Sequence, residues 1–289
     1  MASHFLSFDD LHRKEVERVV RRAVELSIAS RTGGTPPSLA GKRIGLIVDD
    51  TGWRNTTALN VGARSLGASC TSVPVSLSGG EDVCDLARFL SNWFDLLAVR
   101  TPALDALGAF AACSERPVIN LRTRQNHPCE TLGDLSFVST RRGTLEGLRV
   151  VAVAPAANIV NSWAEAAKVI SMTLVQVAPR RYWIDPGRYD GAHIVQTEDL
   201  SAVSNADVII TDAWPQTVGD GELEGLRITE AVLEATPAGC LFLPCPPVTR
   251  GAEVSAGAMS HERCCVFAAK DFLLHAQNAL LEHLLISAT

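Results

Sequence analysis

Lys42-Arg43-Ile44-Gly45-Leu46-Ile47-Val48 is followed, after three polar residues, by Gly52-Trp53-Arg54-Asn55-Thr56-Thr57 and a segment that keeps helical spacing to Leu66. The first stretch is a short apolar run of buried-strand type, the second is a polar turn, and the third is a helix. Strand, polar turn and helix make one α/β unit.

Reading outward, the same alternation recurs. Upstream, residues 8 to 30 open on Asp9-Asp10 and place Leu11, Val16, Val19, Val20, Ala23, Val24 and Ile28 at helical spacing, which predicts an amphipathic helix after an acidic N-cap. A Gly/Pro linker, Gly33-Gly34-Thr35-Pro36-Pro37, separates it from the first strand. Downstream come a strand over Cys70 to Val75, a helix over Asp82 to Phe94, a strand over Leu96 to Val99, a helix over Ala103 to Cys113, a strand at Val118-Ile119-Asn120 and a helix starting near His127. The polar segment Ser139-Thr140-Arg141-Arg142-Gly143 is expected to follow that helix and to mark a domain junction.

A second series predicts strands over Arg149 to Val153, Met172 to Val177, Asp207 to Ile210 and Leu241 to Leu243, with helices over Asn158 to Ile170 and Phe272 to Leu285. Short apolar strands interleaved with longer helices imply two doubly wound parallel sheets of Rossmann-like type, covered on both faces. In such folds ligands sit at the C-terminal ends of strands and in the cleft between domains.

The 289 residues, 47% hydrophobic and 20% charged, suit one large or two medium domains. A net charge of −6 gives no general attraction to nucleic acid or to anionic lipid, so an anion site must be built from local arginines and the partner is expected to be a small molecule. The N-terminus lacks a basic segment leading into a long apolar run, and no stretch reaches the length of a membrane span, so a cytoplasmic protein is expected. Eight cysteines (Cys70, Cys84, Cys113, Cys129, Cys240, Cys245, Cys264 and Cys265) lack zinc spacing and read mostly as buried reduced thiols, with no metal.

Five pieces in order carry a resemblance over nearly the whole chain. They are Asn126-His127-Pro128-Cys129-Glu130-Thr131-Leu132-Gly133-Asp134-Leu135; Asp82 to Pro102 with its Arg-x-Pro ending; Gly147-Leu148-Arg149-Val150 through Asn158 and Ser162; Ala206-Asp207 through Trp214; and Arg250-Gly251-Ala252-Glu253-Val254. Together they resemble the aspartate/ornithine carbamoyltransferase family, nearer the ornithine type, whose signature reads His-Pro-x-Gln-x-Leu-x-Asp-Leu. The resemblance implies a carbamoyl-phosphate-type domain over residues 1–138, an acceptor domain over 139–270 joined by a hinge, and a C-terminal helix over 271–289 that packs back on the first domain. It also implies a homotrimer, with carbamoyl phosphate or an analogue as co-substrate and no metal or organic cofactor.

Carried over by position, the resemblance assigns Arg54 and Arg100 to the leaving group, together with the Gly52, Trp53, Asn55 and Thr56 segment. It assigns His127 to the carbonyl oxygen. Asn158, Asp212, Gln216, Thr217, Cys245 and Pro246 fall in the acceptor site. Arginine guanidiniums and helix N–H groups suit an anion, and a histidine N–H suits a carbonyl oxygen developing negative charge. Cys245 sits among Pro244, Pro246 and Pro247 with no neighbour to activate it, so it reads as a pocket wall.

The pattern also departs from the family. Its Ser-Thr-Arg-Thr-Arg segment reads Gly52-Trp53-Arg54-Asn55-Thr56, its glutamine after the His-Pro pair is Glu130, the histidine of His-Cys-Leu-Pro is Pro244, and a late arginine falls on Leu273. The loop from Ser76 to Glu81 is short and lacks the residue the family lends to a neighbouring subunit. Glu130 adds negative charge beside an anion site and would suit a cationic ligand group such as an amidine. The first reading is a divergent transferase moving a carbamoyl or related group onto an amine of an amino-acid-like acceptor, in biosynthetic or specialised metabolism. A second keeps the cleft for other chemistry, with Glu130 as acid or base and Trp53 over a flatter ligand, and a third is a noncatalytic metabolite-binding homologue.

Overall fold

The computed structural model describes residues 3–215 and 221–286 and divides into two compact units, Met1–Arg141 with Lys270–Thr289, and Arg142–Ala269. In the first, β1 (Arg43–Val48), β2 (Ser69–Val73), β3 (Leu96–Arg100) and β4 (Val118–Arg122) form a parallel sheet in the order β2-β1-β3-β4. Around it lie α1 (Arg13–Arg31), α2 (Arg54–Ser65), α3 (Val83–Trp93), α4 (Leu104–Cys113), α5 (Pro128–Arg142) and the last helix, α8 (Val266–Ile286). The division falls inside α5 and α8.

β1 is buried on both faces, which is why it reads as an unbroken apolar run rather than an alternating one. Gly45 is required inside it, because a Cβ there would lie 2.8 Å from Leu97 and 2.9 Å from Phe94. The core below packs Ile47, Leu90, Leu97, Val99, Leu107 and Phe110.

The second unit carries β5 (Leu148–Val153), β6 (Met172–Val177), β7 (His193–Thr197), β8 (Val208–Thr211) and β9 (Leu241–Pro244), parallel in the order β7-β6-β5-β8-β9, with α6 (Asn158–Val169) and the short α7 (Glu230–Glu234). Val151, Val175, Val177, Ile209, Phe242 and Val254 form its core. No helix among the described residues is long and apolar enough to cross a membrane.

Several boundaries differ from expectation. The N-terminal segment is a 3-10 turn, Phe8–Asp10, capped by Ser7, and α1 begins only after His12, whose backbone N–H donates to Glu15. The segment 139–143 continues the helix instead of following it: α5 runs through Arg142 and stops at Gly143, whose positive φ of 74° ends the helix, and the division between the two units falls in this segment, at Arg141 and Arg142. β7 and α7 were not anticipated. The first is an edge strand with half-exposed residues, and the second is barely more than one turn. Cys84 and Cys113 depart from the reduced-thiol expectation by forming a disulfide between the start of α3 and the end of α4.

α5 and α8 touch backbone to backbone at Gly133, where a Cβ would lie 3.1 Å from the Leu273 Cα. Gly133→Val therefore pushes the helices apart and is expected to cost about 2 kcal/mol in denaturant unfolding, whereas an unchanged midpoint would mean that α8 yields freely.

Candidate active site

In the first unit the sheet order puts the ends of β1, β3 and β4 side by side, so that Asp49 to Arg54, Arg100, Arg122 and the turn leading to His127 converge from different strands. That turn is fixed by Asn126, whose Oδ1 accepts from Asn120 Nδ2 at 2.7 Å and from the Thr123 hydroxyl at 2.8 Å. Both asparagines donate to the Leu6 carbonyl, and the Phe5 N–H donates to the Val118 carbonyl. The opening segment thus docks beside β4 and holds the turn that presents His127.

His127 is buried. Burial pushes its pKa down to about 4, with Arg100, Arg122 and Lys270 adding to the shift and Glu130 opposing it, so the imidazole is neutral at neutral pH. Arg100 is also buried, and its Nε donates to the Thr51 carbonyl at 2.8 Å, as does its Nη2. Gly52 makes room for this: a Cβ there would lie 2.3 Å from Arg100 Nη2, and its φ of 129° disfavours any other residue. The guanidinium fills the space that a side chain at position 52 would take. Burial, then the neighbouring Arg122, lowers the Arg100 pKa, while Asp50 and Glu130 oppose.

Arg54 opens α2 and lies over the Trp53 indole, 5.0 Å from the ring centroid, while Trp53 is 65% exposed. Thr56 donates its hydroxyl to the Trp53 carbonyl at 3.0 Å. Asn55 is turned inward, away from the role of donor to a ligand at the turn. Its Nδ2 donates to Glu130 Oε2 at 3.3 Å, and its Oδ1 accepts from Gln277 Nε2 at 3.0 Å.

Glu130 meets a cationic group, but one that belongs to the chain itself and not to a ligand. Lys270 on α8 lies 2.8 Å from Glu130 and 2.6 Å from Asp134, one helical turn apart on α5. Burial alone would raise the Glu130 pKa, but Lys270, then His127 and the Asn55 hydrogen bond, hold it below the usual carboxylate range. Asp134 moves the other way, to about 6, because burial and the Glu130 charge outweigh Lys270. At neutral pH Glu130 has no proton to give as a general acid.

Lys270 and Arg122 escaped the sequence reading. The signal for Lys270 was present, since it is the sole Lys or Arg in α8, in a chain whose α5 buries two carboxylates.

In the second unit, Asn158 is the first residue of α6 after β5, Asp212 follows β8 and accepts from the Ala213 N–H at 2.9 Å, and Cys245 follows β9 with its N–H on the Thr211 carbonyl at 2.8 Å. β5, β8 and β9 are neighbours, so the topology gathers these three at one end of the sheet, with Pro246 beside them. Cys245 is buried, and Asn158, Asp212 and Pro246 are half-buried. Gln216 and Thr217 lie outside the described residues.

Sequence profiles match both halves: the aspartate/ornithine carbamoyltransferase, carbamoyl-P binding domain over residues 3–140, and the Asp/Orn binding domain over 146–284. The chain belongs to the aspartate/ornithine carbamoyltransferase family. It is 32% identical to an ornithine carbamoyltransferase of Acinetobacter baumannii, over 98% of this chain and 96% of that one, and 31% identical to one of Halorhodospira halophila, over 98% and 99%. Among solved structures, the ornithine carbamoyltransferase of Burkholderia thailandensis superposes with a TM-score of 0.93 at 28% identity, covering 99% of this chain and 100% of that one. That of Thermus thermophilus gives 0.91 at 26%, covering 99% of each.

Within this carbamoyltransferase fold, two measurements follow from the buried charges. Lys270→Met strands two carboxylates in α5 and is expected to cost about 3 kcal/mol in unfolding free energy. Glu130→Gln, which leaves Lys270 paired to Asp134, should cost clearly less, and equal costs would show that the pair is not what holds α8.

His127 in the folded chain binds fewer protons than in the unfolded chain between about pH 4 and the ordinary value of 6.5. Its contribution to stability therefore rises with pH across that window, by roughly 3 kcal/mol. Asp134, raised from 3.8 to about 6, contributes in the opposite direction over much of the same range. The readout is accordingly the difference between parent and His127→Asn, which should grow in the parent's favour from pH 4 to 7; a flat difference would mean that His127 stays protonated inside.

Proposed function

We propose that this protein transfers the carbamoyl group of carbamoyl phosphate to the amine of an amino-acid acceptor, with ornithine the first acceptor to try. The observation that carries the reading is Arg100 and neutral His127 on one rim, beside the turn that opens α2. The neutral amine nitrogen forms the new bond to the carbamoyl carbon while the bond from that carbon to the phosphate oxygen breaks. The ureido product keeps the carbonyl, and the proton shed by the amine leaves with the phosphate.

In this reading His127 donates its N–H to the carbonyl oxygen as negative charge gathers there, which a neutral imidazole in a water-poor setting does without first losing a proton. Arg100 and Arg54, with the first N–H groups of α2, face the phosphate. Asn158 and Asp212 hold the acceptor by its carboxylate and amine, with Cys245 and Pro246 as the wall. No metal or organic cofactor enters, and the trimeric, cytoplasmic character of the resemblance belongs to the same reading.

Ordinary ornithine carbamoyltransferase activity is favoured over the altered chemistries by Glu130, which the Lys270 pair keeps ionised and occupied. The test is ureido-product formation from carbamoyl phosphate with ornithine and a panel of other amines. Product is expected with at least one α-amino acid bearing a side-chain amine, and Arg100→Ala should lower kcat/KM by about a hundredfold or more. Absence of ureido product with every amine rejects the proposal.

A further inference from the structure

Three arginines converge at the turn after β1, and each is held differently. Arg122 is ion-paired with Asp50. Arg100 donates through Nε and Nη2 to the Thr51 carbonyl, with an Asp50 oxygen 3.9 Å from Nη2. Arg54 has neither kind of partner. Among the described residues it makes no hydrogen bond or ion pair, and the group it rests on is the Trp53 indole, with Cζ 5.0 Å from the ring centroid.

The difference matters for an anion site. A carboxylate holds a guanidinium by offsetting its charge and occupying its N–H groups. An aromatic face attracts the same cation through the ring quadrupole, adds no charge of its own and takes no lone pair to the N–H donors. The base of this platform is fixed: the Trp53 carbonyl accepts from the Thr57 N–H at 2.8 Å and from the Thr56 hydroxyl at 3.0 Å, at the start of α2. The ring itself stands 65% exposed, so burial of apolar surface explains little of its place there.

We infer that Trp53 is a positioning residue, whose indole holds the Arg54 guanidinium at the N-terminus of α2 with its charge and its N–H donors left for the phosphate. Trp53 acts through Arg54 and not by touching the ligand. The inference rests on the turn being the anion site of the proposed function, and it adds the device that keeps one arginine of that site placed without a counter-ion.

The experiment is calorimetric titration of inorganic phosphate into the full chain at about pH 8, where phosphate is largely dianionic. It is run as a double-mutant cycle of Trp53→Leu and Arg54→Met. Trp53→Leu keeps an apolar side chain but removes the aromatic face, and it is expected to weaken phosphate binding about threefold. Trp53→Phe restores a face and should recover most of that loss. In the Arg54→Met background Trp53→Leu is expected to change nothing further. Thermal midpoints, recorded for every variant, should stay near the parent's, because the ring is exposed.

Equal or tighter binding in Trp53→Leu overturns the inference, as does a parent that binds no phosphate or a Trp53→Phe as weak as Trp53→Leu. A loss that persists in the Arg54→Met background makes the indole a cover for the ligand itself, and one that follows a fallen midpoint makes it a brace for α2; either sinks the inference. Binding is read without turnover, so the two readings separate. A parent that shows the coupling but makes no ureido product sinks the proposed function alone, and an active parent without the coupling sinks this inference alone. In an active parent the effect of Trp53→Leu belongs in KM for carbamoyl phosphate with kcat little changed, and a loss confined to kcat counts against it.

Discussion

One ammonium group, that of Lys270, lets α5 carry two carboxylates indoors. Glu130 and Asp134 project from successive turns of α5 into a region that excludes water, where each ionised carboxylate would cost several kcal/mol if left alone. Lys270 meets both. The same contact holds α8 against α5 where a Cβ at 133 would crowd the Leu273 backbone, and Gln277, two turns further on, lies against Asn55 of α2. Three helices are registered by a chain of polar contacts that begins at one nitrogen.

The same arrangement explains how a glutamate is tolerated where the family has glutamine. Taken alone, the change adds a negative charge beside an anion site and should repel a phosphate. Paired with Lys270 its charge is offset locally, while Asp134, raised to about 6, still carries most of its charge at neutral pH. Asp50 stands in the same relation to Arg122 and Arg100. Around a neutral His127, the first unit therefore balances its buried charges within its own chain.

The alternation of strands and helices was legible because strands buried on both faces must be largely apolar, as β1, β3 and β5 are apart from one arginine each. β7 was not, since an edge strand with half-exposed residues lacks that constraint. Arg100, His127 and Glu130 were legible by their places beside strand ends and in an ordered signature. Their posture was not, because it depends on partners far along the chain: Lys270 is 136 residues from Asp134, and Arg100 reaches back 49 residues to Thr51. Local pattern names the residue types at a site, but the counter-ion each one finds is set by tertiary packing. The inward turn of Asn55 is of the same kind, fixed by Glu130 and Gln277 rather than by anything in the α2 segment.

Gly52 fixes a neighbour as well as a conformation. With the Arg100 guanidinium seated where a side chain would begin, a serine cannot return to position 52 unless the arginine first swings out, and the arginine is held by the Thr51 carbonyl and the nearby Asp50. A side chain at 52 and the present seat of Arg100 are therefore alternatives, each reached only by giving up the other.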